Sequence, residues 1–173
     1  LCLSASPAAQ LVVFDGPAVG SSEVFDEYLA FHFSQVGVDA KQRVIRLPQR
    51  SRADFLAVLA ACDLGLDTFG FSGGNTSLDA FSVGLPVVTL PGEFMRGRQT
   101  FAMLALMSST IKASLVARDA DDYVRITTTL LADAETRETL QRAIRAESPR
   151  LFEDVRAVAA LRAALLRAVR GTA

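Results

Sequence analysis

The chain of 173 residues carries 18 Lys+Arg against 19 Asp+Glu, a formal net charge of -1, with 50% hydrophobic and 21% charged residues. That length suits one domain with a real core, the apolar content excludes intrinsic disorder, and the even charge excludes a general nucleic-acid binder. Two cysteines (Cys2 and Cys62) and one histidine (His32) exclude a disulfide scaffold and zinc sites built from clustered Cys or His.

In chain order, Leu11-Val12-Val13-Phe14 is a compact strand that stops at the turn signal Asp15-Gly16-Pro17. Ser21-Ser22-Glu23 opens a helix whose apolar positions Val24, Phe25, Tyr28, Leu29, Phe31 and Phe33 run on to Gly37, a natural helix-ending glycine. Val44–Leu47 is a second strand, ended by Pro48. Ser51 caps a second helix with Phe55, Leu56, Val58 and Leu59 on one face. Leu64–Asp67 is a third strand. A glycine-rich loop, Phe69–Gly74, then leads into a short helix, Thr76–Val83, closed by Gly84-Leu85-Pro86. Val87–Leu90 is a fourth strand, followed by a helix around Arg98–Met107 and a weak fifth strand near Leu115-Val116. The remainder is helical. Asp119 caps a helix over Asp121–Leu131, Glu135–Ala146 forms another, and Leu151, Phe152, Val155, Val158, Leu161, Leu165 and Val169 share one face of a last helix.

Strands alternating with helices imply parallel pairing with right-handed crossovers, and continuous apolar strands imply a sheet covered on both faces. Ligands of such sheets sit outside the carboxyl ends of the strands, here the loops after Asp67 and Leu90. The first of these loops runs into Ser72-Gly73-Gly74-Asn75-Thr76-Ser77-Leu78-Asp79. Adjacent glycines admit a close ligand, and the N–H groups of a helix start favour an anion such as a phosphate. Asp79, one turn inside, suits the hydroxyls of a ribose. The same residues also read as a flexible loop before a capped helix, with Thr76 and Asp79 as a variant capping box.

Three words carry a resemblance: Ala61-Cys62-Asp63-Leu64-Gly65-Leu66-Asp67-Thr68, Gly73-Gly74-Asn75-Thr76-Ser77-Leu78-Asp79, and Gly84-Leu85-Pro86-Val87-Val88-Thr89-Leu90-Pro91-Gly92 with Arg96-Gly97-Arg98. Asp15-Gly16-Pro17-Ala18-Val19-Gly20 and Arg43-Val44-Ile45 add to it. The stretch is similar to the C-terminal lobe of O-linked N-acetylglucosamine transferases and SPINDLY-type glycosyltransferases, especially bacterial members with tetratricopeptide repeats. The resemblance implies a Rossmann-like α/β lobe, a parallel sheet with flanking helices, from a two-lobed GT-B enzyme. The whole of 1–173 would be one nucleotide-sugar-binding lobe with 119–173 as its helical tail. It implies a UDP-sugar donor and transfer of a hexose or N-acetylhexosamine to a protein side chain, with no metal or other cofactor.

Residue by residue, Gly73, Gly74, Asn75 and Thr76 match the family's diphosphate loop, where Gly74 and Asn75 replace its histidine and first threonine. Asp79 matches a ribose-binding aspartate. Arg52 and Phe55 fall in the segment that reads and stacks on uracil, and Arg98 matches an arginine after the next strand. The family's Gln-x-x-x-Lys segment and its acceptor lobe have no counterpart in the chain, and no residue is assigned a catalytic role. Leu1-Cys2-Leu3-Ser4 lacks an initiator Met and the basic start of a signal peptide, and no apolar run reaches the roughly 18 residues of a membrane span. The expectation is a fragment of a cytoplasmic enzyme, without its N-terminal lobe. Its exposed strand edge and long apolar last helix would favour self-association.

Other features read structurally. Asp119-Ala120-Asp121 matches a metal-binding Asp-x-Asp but lies at a helix start, which favours acids anyway. His32 between Phe31 and Phe33 reads as a partly buried structural residue, and Cys62 as a small core residue. Asn75-Thr76-Ser77 is a formal glycosylation sequon without a secretion signal. Arg96 and Arg98 either neutralise a departing diphosphate or start a helix in solvent. The tail arginines Arg142, Arg145, Arg150, Arg156, Arg162, Arg167 and Arg170 read as a solvated face. Two rival functions stand: a non-catalytic nucleotide-sugar-binding or interaction module, and an unrelated doubly wound domain of the response-regulator kind. Asp15 and Asp67 supply only part of the acidic cluster that the latter requires.

Overall fold

A computed structural model describes residues 1–16, 21–152 and 154–171. The turn residue Pro17, and with it residues 17–20 of the matching segment that begins at Asp15, lie outside the described residues. The elements in order are α1 (Cys2–Ala5), β1 (Leu11–Phe14), α2 (Ser21–Ser34), α3 (Ala40–Arg43), β2 (Val44–Leu47), α4 (Arg52–Ala61), β3 (Gly65–Leu66), α5 (Asn75–Ser82) and β4 (Val87–Val88). A 3-10 turn at Met95–Gly97 leads to α6 (Gln99–Leu106), α7 (Ser109–Leu115), α8 (Ala120–Ala132) and α9 (Ala134–Glu147). A second 3-10 turn, Ser148–Leu151, precedes α10 (Val155–Arg170).

The strands are parallel, as the alternation of elements requires, and the fold is α/β with a helical tail. Among the described residues, however, they form two separate ladders rather than one sheet. β1 pairs with β2 from Leu11↔Val44 to Phe14↔Leu47, and β3 pairs with β4 through Gly65↔Val87 and Leu66↔Val88. The expected fifth strand is a single parallel bridge, Thr89↔Val116, because α7 takes up the preceding residues. That helix was not foreseen. Its signal is local, since Ser108 accepts a hydrogen bond from the Ile111 N–H at 3.4 Å and so caps the helix.

The core lies in the second half of the chain. Phe81 of α5, Val88 of β4, Leu104 of α6, Ile111 and Leu115 of α7 and Ile144 of α9 are all but inaccessible to solvent. α8 contributes Tyr123, Ile126 and Leu130, spaced three and four residues apart so that they fall on one face. The helix α5 ends as its glycine dictates. Gly84 adopts φ +81°, Leu85 N–H bonds to Ala80 O and Gly84 N–H to Phe81 O, the bond pair of a Schellman cap.

The first half is less covered than continuous apolar strands suggest. Residues of β1 and β2 are half-buried or, at Ile45, exposed, so this ladder is not enclosed on both faces. On α2 the expected inward face is largely outward: Val24, Phe25, Tyr28 and Phe31 are exposed. The last helix differs from its expectation as well. Leu151 belongs to the 3-10 turn and packs on the core, whereas every described residue of α10 is exposed. α10 carries Arg156, Arg162, Arg167 and Arg170 and no acidic residue.

Candidate functional site

The site is built where β3 and β4 end. The loop after β3 bends at Gly70, with φ +78°, and returns to start α5. The loop after β4 makes the 3-10 turn and starts α6. The two loops are tied together by Ser72 N–H donating to Arg96 O at 2.7 Å. A Cβ on Gly97 would lie 3.4 Å from the Gly70 carbonyl oxygen, so the backbones run in close contact.

Gly74 is the N-cap residue of α5, and no side chain caps that helix. The capping-box reading of Thr76 and Asp79 is therefore corrected. Ser77 and Leu78 N–H groups turn back to Gly74 O at 3.1 and 3.2 Å. The amides of Asn75 and Thr76 take no partner among the described residues, leaving the positive end of the helix open. Glycine is required at 73, where a Cβ would stand 2.3 Å from Ser77 Oγ, and at 74 it would meet Gln99 Oε1 at 3.0 Å.

Behind this loop lies a buried polar network that sequence reasoning missed. The Asp67 carboxylate, in a residue only 7% exposed, accepts Ser72 Oγ–H at 2.7 Å, Gly73 N–H at 2.7 Å and Thr89 Oγ1–H at 2.6 Å. Thr100 of α6 joins it, with its N–H on Ser72 Oγ at 3.0 Å and its hydroxyl 2.7 Å from Ser77 Oγ. From α8 the Tyr123 hydroxyl donates to Asp67 O at 3.0 Å. Burial, more than the nearby Cys2 and Asp67, pushes the Tyr123 phenol well above its ordinary value. The sequence signal was faint: an aspartate at a strand end, a serine five positions on, and threonines far away in the chain.

The expected nucleotide residues separate into two groups. Arg52, the first residue of α4, reaches across to α5 and places Nη2 2.7 Å from Asp79 Oδ1. The arginine side chain is 76% exposed and the aspartate 16%. So Arg52 and Asp79 do meet at one rim. Phe55, three residues on in α4, packs its ring edge-on against Phe14, centroids 5.0 Å apart, joining α4 to β1. Arg98 precedes α6, donates from Nη1 to Gly92 O at 2.7 Å and lies over the Phe101 ring. Arg96 lies over Phe94 and is exposed.

The bland readings mostly hold in local geometry. Asp119 caps α8 by accepting Asp122 N–H at 2.8 Å, and Asp121 is exposed. Cys62 is half-buried, and burial followed by the Asp63 charge raises its thiol pKa, which keeps it inert. His32 is a correction: it is exposed, against Tyr28 and Phe31. Its helix turns outward there. No group of three metal-ligating side chains occurs among the described residues, and no described helix is long and apolar enough to cross a membrane.

This parallel α/β architecture, with an open helix start outside the strand ends, is that of a GT-B glycosyltransferase lobe, as its likeness to solved structures shows. Solved structures of two such proteins are similar: a mutant O-GlcNAc transferase from Thermobaculum terrenum (TM-score 0.75, 32% identity, 88% of this chain and 28% of that one) and Anabaena HepE in complex with UDP (TM-score 0.67, 19% identity, 95% and 43%). The second likeness is one of fold alone. Glycosyl transferase family 41 matches residues 2–160, and the chain belongs to that family. Relatives named "Probable UDP-N-acetylglucosamine--peptide N-acetylglucosaminyltransferase SPINDLY" are 28% identical in Petunia hybrida over 85% of this chain, and 28% in Arabidopsis thaliana over 83%. The chain spans 16% and 15% of the length of these two relatives.

Proposed function

We propose that the chain is the nucleotide-sugar-binding half of a glycosyltransferase that moves a hexose or N-acetylhexosamine from a UDP-sugar to a protein side chain. The observation that carries this reading is the uncapped start of α5 at Gly74, in a member of family 41. The Asn75 and Thr76 amides would receive the diphosphate, and Asp79 beside them the ribose hydroxyls. The role of the lobe is positional and electrostatic. Fixed N–H dipoles would stabilise the negative charge that grows on the diphosphate as the sugar–phosphate bond breaks. Arg98, on the neighbouring loop and next to Gln99, whose side chain lies beside Gly74, would add positive charge, although its guanidinium now bonds to Gly92 O.

Isothermal titration with UDP, uridine and UDP-N-acetylglucosamine tests the reading. UDP is expected to bind measurably and tighter than uridine. Absence of UDP binding overturns the proposal. Binding with no sugar transfer to a peptide by the chain joined to an acceptor lobe would favour the non-catalytic module instead.

A further inference from the structure

Asp67 has no place in the donor contacts described so far, yet its buried carboxylate accepts three hydrogen bonds from the loops around the site. Resting on the function proposed above, we infer that Asp67 is the positioning residue of the phosphate-binding loop: its carboxylate sets the place of the amides that would meet the donor diphosphate.

The geometry argues for it from three sides. Oδ2 accepts the hydroxyls of Ser72 and Thr89, and Oδ1 accepts the amide of Gly73. The donors come from the loop itself and from the residue that follows β4, so one carboxylate joins the end of β3 to both. Only an acceptor-only group with several lone pairs satisfies all of them, and its charge strengthens each bond. An asparagine would keep one such acceptor and turn a donor toward hydroxyls that now donate. The chain of contacts continues from Ser72 Oγ to Thr100 Oγ1 at 2.9 Å and on to Ser77 Oγ at 2.7 Å. Ser77 lies in the first turn of α5, so the helix start is held at its backbone (Gly73) and at a side chain (Ser77).

The arrangement also explains how a carboxylate can stand behind an anion site. Both Asp67 oxygens are directed at protein donors, and the residue is buried. Its negative charge is spent on orienting the Gly73 peptide, leaving the Asn75 and Thr76 amides as the exposed donors. Asp67 acts through the backbone and touches no substrate.

The experiment compares UDP with uridine, since only UDP uses the phosphate amides. Wild-type, Asp67→Asn and Ser72→Ala chains are titrated with both, and circular dichroism checks folding. In Asp67→Asn, UDP affinity is expected to fall about tenfold while uridine stays within about twofold, the loss of one charge-assisted, correctly placed contact. Amide exchange at Gly73–Ser77 is expected to quicken in the same variant. Equal losses for both ligands, or unchanged UDP affinity, overturn the inference while leaving the function reading intact. If Asp67→Asn does not fold, Ser72→Ala decides. It keeps the carboxylate and removes one hydroxyl, and an unchanged ratio of UDP to uridine affinity overturns the inference. A wild-type chain that binds neither ligand overturns the function reading and this inference with it.

Discussion

Asp79 and Arg52 offer the sharpest test of the rim. Asp79 Oδ1 is 2.7 Å from Arg52 Nη2, so a ribose binding at this carboxylate would have to share it or displace the arginine. The pair is cheap to open. Arg52 is 76% exposed, and exposed ion pairs contribute about 0–1 kcal/mol. Two hydroxyl hydrogen bonds to a charged acceptor are worth more, about 1.5–3 kcal/mol each before compensation. Asp79→Ala is therefore expected to weaken UDP by roughly tenfold or more, about 1.4 kcal/mol or above. Arg52→Ala is expected to change UDP affinity by less than about threefold, since it removes a competitor as well as a positive charge. Neither variant should shift folding stability by more than about 1 kcal/mol. Titration calorimetry on the three proteins, with thermal melts alongside, gives all these values. Equal UDP affinity in wild type and Asp79→Ala would remove Asp79 from the site. A tenfold loss in Arg52→Ala would show that the arginine binds ligand rather than merely balancing Asp79.

Four further outcomes are expected. UDP affinity should be the same with and without EDTA, read by the same titration, and a large drop on chelation would revive a metal role for Asp119 and Asp121. Thr127 Oγ1 is buried with no hydrogen-bond partner among the described residues, so Thr127→Val should raise the urea midpoint by the equivalent of about 1 kcal/mol, and a loss would mean that the hydroxyl is satisfied. Hydrogen bonds from Arg118 first and then Arg125 hold the Asp122 carboxyl well below its ordinary range. With the folded value below the unfolded one of about 3.9, the stabilisation is present above that pH and is lost on acidification. Melts between about pH 6 and pH 3 should then show a steeper decline in wild type than in Asp122→Asn, and parallel curves would refute the coupling. The chain should associate with rising concentration, and Leu161→Glu with Leu165→Glu should reduce this in light scattering, because both leucines are exposed on α10. A clean monomer at high concentration would count against it.

Much of the secondary structure was legible because its signals are local. Ser51 and Asp119 cap the helices they were expected to cap, through Asp54 N–H and Asp122 N–H. Gly84 ends α5 because only a residue without a Cβ takes φ +81° easily. The glycine loop was legible for a related reason: Gly73 and Gly74 announce a close approach, and at Gly73 a Cβ would stand 2.3 Å from Ser77 Oγ. The expected nucleotide residues were assigned from resemblance, and the structure brings Arg52 to Asp79 and Phe55 to Phe14.

Tertiary packing decided what spacing along the chain does not encode. An apolar stripe states that a face can be buried, not whether a neighbour arrives. The stripes of α8 and α9 find the core, while those of α2 and α10 remain in solvent. The length of the ladders was decided in the same way, since pairing needs two strands in register and only Gly65-Leu66 and Val87-Val88 align in the second one. Above all, Asp67, Ser72, Thr89 and Thr100 are each ordinary residues in sequence. Their network exists because the fold brings residues 22 and 28 positions apart within hydrogen-bond distance in a buried place, where an unpaired polar group would be costly and a paired one holds its loop.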